Sequence, residues 1–179
     1  NSGEGMHDDR EIKNSPGFTL IELIIVISLI SIMLFFAVPK FQTGLFINNM
    51  DKTLRWIMLK TQSIREDAVF DQKLCVLHIN LDSGFLWITD ELMKIEAQKK
   101  AKEKGFRLFD DVKVDDVEYP GNLKISTGTA DIYFYKKGYS DNALIHLEDS
   151  ENQRFTLHIR PFLANNKLYE NYLKFDELP

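Results

Sequence analysis

The sequence predicts an α+β protein in which a long N-terminal helix packs on one or more antiparallel β-sheets. Three observations support this fold class. An uninterrupted apolar run covers residues 18–38, helical periodicity follows over residues 54–69, and strict alternation begins at residue 74. A period near 3.6 is typical of an amphipathic helix and a period of two of a half-buried strand, so the helix comes first and the sheet afterwards.

The apolar run is long enough to cross a bilayer. Its 21 residues, Phe18 to Val38, form a helix of about 31 Å, close to the hydrocarbon thickness. An ordinary secretory signal is excluded, because its apolar stretch is shorter and ends at a small-residue cleavage site, whereas "VPKFQTGLF" follows here. Glu22 is the only charged residue in the run. Since a bilayer disfavours a lone charge, Glu22 requires a partner from elsewhere.

The helical pattern continues after the apolar run. Apolar or small residues recur at spacings of three and four at Leu54, Ile57, Met58, Thr61, Ile64, Ala68 and Val69, while Lys52, Arg55, Lys60, Gln62 and Glu66 fall on other faces. This pattern predicts that an amphipathic helix continues the apolar segment over residues 39–72. Pro39 removes a backbone donor and Gly44 weakens the helix again, so we expect a kink between them.

The sequence pattern predicts one β-rich globular domain over residues 73–179. "KLCVLHINLD" and "FLWITD", separated by Ser83-Gly84, predict a hairpin over residues 74–89. Turn residues separate six further predicted strands, at 112–119, 123–126, 131–135, 143–148, 154–160 and 167–173. Between the hairpin and these strands, "DELMKIEAQKKAKEKG" predicts a Lys-rich helix that Gly105 ends. Such a helix is either a partner-binding surface or a solvated face, and solvated faces are the commoner case.

The composition argues against several classes of function. Residues 39–179 carry 20 basic and 22 acidic groups without a basic stripe between aromatic residues, so nucleic-acid binding is not expected. The single cysteine, Cys75, lies in an apolar alternating strand, which predicts a buried, unreactive thiol. No nucleophile or phosphate-loop motif occurs, so we expect neither an enzyme nor a cofactor.

Metal binding has little support in the sequence. The four histidines, His7, His78, His146 and His158, are scattered without ligand spacing, and His146 and His158 fall within strand patterns. The acidic group Asp110, Asp111, Asp115, Asp116 and Glu118 is either a calcium site or a solvated loop. Its spacing matches no calcium-loop signature, which favours the solvated loop.

The stretch Pro16-Gly17-Phe18-Thr19-Leu20-Ile21-Glu22 resembles the class III leader of type IV pilins and type II secretion pseudopilins. The resemblance implies that residues 1–17 are a leader, which prepilin peptidase removes after Gly17 before it methylates Phe18. Pro39 corresponds to the helix-interrupting proline of that family. The net charge of minus two in residues 1–17 differs from the short basic leaders that are usual there.

The resemblance also implies a partner for Glu22, namely the free Phe18 amine of a neighbouring subunit. Both groups are charged at neutral pH, so each offsets the burial of the other. The alternative is that Glu22 lies near the interface and reaches headgroup water. The implied location is the bacterial inner membrane, crossed once, with the C-terminal domain in the periplasm. The implied partners are other pseudopilins, prepilin peptidase, an inner-membrane assembly platform and membrane lipid.

The subtype follows from a weaker similarity. "QSIREDAVFDQKLCVLHIN" is similar to the helix-to-strand junction of H-type minor pseudopilins and of FimT/FimU-like minor pilins. Neither the C-terminal cysteine pair of major pilins nor the calcium loop of major pseudopilins has a match. This favours a minor pseudopilin that assists export of folded proteins across the outer membrane. The alternatives are a minor type IV pilin in pilus assembly, adhesion or DNA uptake, and a membrane-anchored binding or enzymatic domain.

Cleavage after Gly17 is directly testable. Because glycine has no side chain, the peptidase can approach the scissile bond, so a bulky residue in place of Gly17 should leave the leader attached. Mass spectrometry of the membrane-extracted protein, from a host with active prepilin peptidase, should find a mature chain that begins at methylated Phe18. A mature chain that begins at any other residue would contradict the leader assignment.

Overall fold

A computed structural model describes residues 19–45 and 48–178 of the 179-residue chain, with side chains described for 19–33 and 48–178. The chain divides into two compact units, Asn1–Phe46 and Ile47–Pro179. The predicted leader, with Gly17 and Phe18, lies outside the described residues.

The first unit contains one long helix, α1 (Leu20–Leu45), of 26 residues. Its backbone is helical through both Pro39 and Gly44, and the kink between these residues stays a prediction. Among the described residues, no helix combines the length and the apolar character that a membrane crossing needs. The crossing proposed for residues 18–38 begins at Phe18, outside the described residues.

The second unit begins with α2 (Asn49–Phe70), so the amphipathic helix is separate from α1. The Asn48 side chain caps α2 by accepting a hydrogen bond from the Asp51 amide at 2.7 Å. The predicted stripe is confirmed at Leu54, Ile57, Thr61, Ile64 and Ala68, which are all buried. Val69 is exposed, and the buried face instead includes Met50, Thr53 and Arg65.

The predicted hairpin is confirmed as β1 (Cys75–Asn80) and β2 (Phe85–Asp90), which pair antiparallel. Strand β3 (Phe106–Arg107) has two residues and was not predicted, while β6 (Thr129–Phe134) matches the strand expected at 131–135. These strands and the hairpin form a four-stranded sheet, sheet A, in the order β3-β2-β1-β6. Strand β6 pairs antiparallel with β1 although the two are distant in the sequence. The pairing places Ile132 opposite Leu77, and both residues are fully buried.

Sheet B contains five further strands of the described residues, which are β4 (Val112–Tyr119), β5 (Leu123–Ile125), β7 (Ala143–Asp149), β8 (Arg154–Ile159) and β9 (Lys167–Tyr169). They are all antiparallel, in the order β5-β4-β7-β8-β9. Strand β9 ends four residues earlier than predicted. The chain after it crosses the outer face of sheet B, where Thr156 accepts from the Leu173 amide and donates to the Asn171 carbonyl.

The predicted Lys-rich helix is α3 (Ile95–Glu103), and none of its residues is buried. Gly105 follows its C-cap at a point where the chain closely approaches β2. A Cβ atom at position 105 would lie 2.4 Å from the Leu86 carbonyl oxygen. Glycine is therefore required here by the available space, in addition to ending the helix.

One hydrophobic core joins α2 to the inner faces of both sheets. Its central residues are fully buried, and they include Ile57 of α2, Leu77 and Ile132 of sheet A, and Ile145 and Leu157 of sheet B. Because this core lies wholly in the second unit, residues 48–179 contain what independent folding needs.

We therefore expect a fragment of residues 48–179 to be a soluble monomer with a cooperative thermal transition. Ile57→Ala in this fragment should lower the free energy of unfolding by about 2–5 kcal/mol through loss of buried contacts. Leu59→Ala is the matched control, since Leu59 lies on the same helix and is 62 % exposed. Circular dichroism on heating and in urea measures both, and an aggregated or molten fragment would show that the unit boundary is wrong.

Candidate assembly site

The first turn of α1 carries Glu22, one of the two residues on which assembly was predicted to depend. The other, Phe18, lies outside the described residues. Thr19 precedes the helix, and its hydroxyl oxygen accepts a hydrogen bond from the Glu22 amide at 3.3 Å. Thr19 is thus the N-cap, and Thr19-Leu20-Ile21-Glu22 has the spacing of a capping box. The sequence interpretation missed this role, although a Thr followed three residues later by Glu before an apolar run is its usual signal.

Glu22 also lies where the helix dipole favours an anion. The exposed amides of the first turn give a helix N-terminus a partial positive charge, which stabilises a nearby carboxylate. Within residues 19–33, the other three polar side chains have partners in their own helix. Thr19 accepts from Glu22, while Ser28 donates to the Ile24 carbonyl at 2.8 Å and Ser31 to the Ile27 carbonyl at 2.7 Å. Glu22 is therefore the one ionisable side chain on this part of the helix.

Between residues 20 and 33, the apolar side chains of α1 are exposed on every face. Those from Leu20 to Met33 range from 45 % exposed at Ile24 and Val26 to 79 % at Leu20. Leaving so much apolar surface in water is unfavourable, and exposed apolar surface of this extent marks a protein or membrane contact. The described part of α1 is thus a candidate contact surface.

The polar outer face of sheet B contains a second cluster of ionisable groups, centred on His146. This imidazole is fully buried, and its two nitrogens lie 2.6 Å from Asp116 Oδ1 and 2.8 Å from the Leu173 carbonyl oxygen. The ring of Tyr172 stacks on it at 3.9 Å between centroids. His146 was correctly predicted to be a strand residue, and its bonds hold the C-terminal segment against the sheet.

Asp116 is the anion of this cluster. Its side chain is 3 % exposed, forms an ion pair with Lys124 at 2.8 Å and accepts a hydrogen bond from Tyr172. Burial alone would raise the pKa of Asp116, but the hydrogen bonds from His146 and Lys124 outweigh burial and lower that pKa. The solvated loop expected at residues 110–118 is therefore wrong for Asp116 and Glu118, which are buried on β4.

A comparable pair lies on the outer face of sheet A. His78 Nδ1 is 2.7 Å from Asp131, and its Nε2 is 2.7 Å from the Thr89 hydroxyl. The order carboxylate, imidazole, hydroxyl is that of a catalytic triad, but each member comes from a neighbouring strand and the ring stacks on Trp87. This arrangement is typical of cross-strand pairing on a sheet face.

Metal and thiol chemistry find no support in the described part of the chain. No group of three or more His, Cys, Asp or Glu side chains there is arranged to hold a metal ion. Asp111 instead accepts two hydrogen bonds from the Asn49 amide, at 2.9 and 3.1 Å. Cys75 is buried, and burial raises the pKa of its thiol, as expected of an unreactive cysteine.

Comparison with known proteins finds a match to the N-terminal motif and a similarity of fold. The family model for the prokaryotic N-terminal methylation motif matches residues 12–38. Two structures of the minor pseudopilin EpsH from the type II secretion system of Vibrio cholerae have a similar fold. One has a TM-score of 0.50 at 11 % identity and covers 71 % of this chain and 99 % of that chain. The other has a TM-score of 0.51 at 9 % identity, with coverage of 70 % and 96 %. No curated protein matches the sequence.

The methylation motif lies at the N-terminal end of the chain, and the α+β fold is similar to that of a minor pseudopilin. Both parts of the predicted resemblance, the N-terminal motif and the fold, are thereby confirmed.

Asp116 should make the stability of the protein depend on pH. A carboxyl group with a lowered folded-state pKa contributes stability above its unfolded pKa of about 3.9, and this stability is lost as the pH falls through the folded-state pKa. Asp116→Asn leaves a buried imidazole and Lys124 without their anion, so at pH 7 it should lower the free energy of unfolding by about 3 kcal/mol. The difference between the variant and the wild type should shrink as the pH falls below the ordinary carboxyl pKa of about 3.9.

Asp131→Asn is the matched control, because Asp131 also bonds a histidine at 2.7 Å but its side chain is 39 % exposed. The expected loss there is at most about 1 kcal/mol. Urea unfolding of the full-length protein in detergent, at several pH values between 3 and 8, measures both variants. An equal loss in the two would show that burial of Asp116 has no special effect.

Proposed function

We propose that this protein is a minor pseudopilin, a structural subunit of a type II secretion pseudopilus that assists export of folded proteins across the outer membrane. The observation that carries the proposal is the methylation motif at residues 12–38. Its residues from Leu20 onward lie in α1, whose described side chains are almost all apolar and exposed. The similarity of fold to minor pseudopilins supports the same function.

In this proposal the subunit is stored in the inner membrane with residues 18–38 as its single crossing and its globular domain in the periplasm. Prepilin peptidase removes residues 1–17 on the cytoplasmic side and methylates Phe18. An inner-membrane assembly platform then moves the subunit from lipid into a filament with other pseudopilins. The exposed apolar surface of α1 fits both environments, since lipid tails and packed helices are equally apolar.

Glu22 has a specific role in the transfer from membrane to filament. The Phe18 amine that cleavage creates is the natural cation for it, and the amine of a neighbouring subunit pairs with Glu22 among packed helices. Pro39 and Gly44 allow the helix to bend as subunits adapt to each other.

Replacing Glu22 by Gln separates this role from simple helix capping. A capping box accepts either Glu or Gln, so Glu22→Gln keeps the capping geometry with Thr19 and removes only the charge. Membrane insertion of the single subunit should become slightly easier. Incorporation into filaments should fall by at least about tenfold, since the unpaired amine costs several kcal/mol among apolar helices.

The measurement compares Glu22→Gln with wild type at equal membrane levels and equal cleavage after Gly17, by filament shearing, crosslinking and secretion. Ser28→Ala is the matched control, because the Ser28 hydroxyl is satisfied by its own helix and its loss should leave incorporation unchanged. Equal incorporation of the Glu22→Gln variant would exclude the amine partner. Glu22 would then be a cap or a headgroup contact.

A further inference from the structure

The last residues of the chain form a strap over the outer face of sheet B. Strand β9 ends at Tyr169, and we call residues 170–178, which follow it, the C-terminal strap. Within the described residues, each hydrogen bond between the strap and the sheet uses a side chain of the sheet, and none joins two backbone groups. The strap can therefore leave sheet B without breaking a strand ladder.

Polar side chains are buried beneath the C-terminal strap. Four of them on the outer face of sheet B are at most 4 % exposed, namely Asp116, Glu118, His146 and Thr156. Thr156 and His146 bond backbone groups of the strap, and Glu118 accepts a hydrogen bond from the Phe175 amide at 3.4 Å. A buried polar group is unfavourable unless it is hydrogen-bonded, so these bonds decide whether the strap stays closed.

The His146 imidazole faces two hydrogen-bond acceptors at once. Its Nδ1 lies 2.6 Å from Asp116 Oδ1, and its Nε2 lies 2.8 Å from the Leu173 carbonyl oxygen of the strap. Neither a carboxylate nor a carbonyl can donate, whereas a neutral imidazole has one donor nitrogen and one acceptor nitrogen. A neutral ring beside the Asp116 carboxylate would place a lone pair against one of these acceptors. Both contacts are favourable only when the pair of Asp116 and His146 holds an additional proton.

The neighbours of Asp116 decide which member of the pair carries this proton. Asp116 Oδ2 lies 2.8 Å from the Lys124 ammonium group and accepts a hydrogen bond from the Tyr172 hydroxyl at 3.2 Å. Both contacts stabilise the carboxylate, so the proton lies on His146, which is an imidazolium that donates to both acceptors.

Other charged groups on the outer face of sheet B are engaged elsewhere or lie farther away. Glu148, on the same strand as His146, pairs with Lys113 and Arg154, and these two cations also lie near Asp115. The remaining titratable groups of the sheet on this face are Glu118, His158 and Lys167. The strap adds Tyr172 and four exposed ionisable side chains, at Glu170, Lys174, Asp176 and Glu177.

We infer that the Asp116–His146 pair makes closure of the C-terminal strap depend on pH. The closed strap requires the additional proton, while the open strap leaves His146 in water, where it releases that proton to the solvent as the pH rises. Closure is thus favoured at lower pH and weakened at higher pH, because the closed state binds more protons. The inference concerns the globular domain and does not rely on the proposed function.

The other two described histidines lack this arrangement. His78 faces the Asp131 carboxylate and the Thr89 hydroxyl, and since a hydroxyl can donate, a neutral ring satisfies both contacts. His158 Nε2 lies 2.7 Å from Asn142 Oδ1, and burial lowers the pKa of His158, which favours its neutral form. One donor nitrogen is sufficient there. His158 also lies on the outer face of sheet B, so it provides a matched control.

Nitrogen NMR of the full-length protein in detergent, with isotope-labelled histidine, detects the proton directly. The His146 signals are those that His146→Gln removes. At about pH 6, both ring nitrogens of His146 should carry protons, and one proton should be lost as the pH is raised to about pH 9. A His146 ring with a single proton at about pH 6, while the strap is closed, would overturn the inference.

Amide hydrogen exchange of the same protein measures opening of the strap. Protection of residues 170–178, relative to an unstructured peptide at the same pH, should fall by at least about tenfold between about pH 6 and about pH 9, because a hydrogen bond to a charged group is lost. Protection of β1 in sheet A should not change, since β1 has no contact with the strap. Unchanged strap protection in the wild type would show that the pair does not control closure.

Two variants assign the effect to His146. Glutamine cannot take up a proton, so strap protection in His146→Gln should be the same at both pH values. The matched control His158→Gln should keep the wild-type decrease. An equal decrease in His146→Gln would show that another group is responsible. If the strap of His146→Gln is open at both pH values, the NMR spectrum of the wild type decides, because it reports the protons of the closed state directly.

Discussion

The fold depends on α2, because this one helix supplies buried side chains to both sheets. It contacts β1 and β6 of sheet A and β4 of sheet B. Each antiparallel sheet has one apolar face, which must be covered to exclude water. Ile57 and Ile64 are at most 2 % exposed where those faces meet the helix. Without α2, each sheet would expose the apolar face that now forms the core.

The requirement for a shared core also explains an unusual charge on α2. Arg65 lies on the buried face, where burial lowers the pKa of its guanidinium. That group donates to the carbonyls of Arg160 and Pro161 and to the Ser140 hydroxyl, at 3.0–3.1 Å. The carbonyls lie directly after β8, so a charged side chain ties the end of sheet B to the helix. Asn166 adds a second tie by donating to Thr61.

The sequence was sufficient to predict the elements and most of the buried stripe, because hydrophobic periodicity is a local signal. Strand β4 was predicted with the bounds that the structure shows. Pairing between distant strands was not predictable in this way. Nothing near residue 131 indicates that β6 joins β1 and not its neighbours in the chain. Likewise, an arginine such as Arg65 is expected at the surface from the sequence alone, because the carbonyl groups that accept its hydrogen bonds lie far along the chain.

The residues of the candidate sites also differ in whether a local sequence signal could predict their role. Glu22 and the apolar run were predicted from the local sequence, because Glu22 is the only charged residue within residues 18–38. The Thr19 cap was available in the sequence as a local spacing and was overlooked. Asp116 and His146 are 30 residues apart and meet only because β4 and β7 pair. Their environment is a product of the tertiary fold.

The inward hydrogen bonds of Ser28 and Ser31 affect how the α1 helix can align with its neighbours. With these hydroxyls satisfied, the described surface of α1 is chemically uniform along its length except at Glu22. A uniform apolar surface can slide along another helix with little change in energy, so packing alone specifies axial register poorly. A single polar position among apolar ones is a known device for fixing register in helical bundles. One carboxylate near the start of α1 can thus set the vertical offset between adjacent helices.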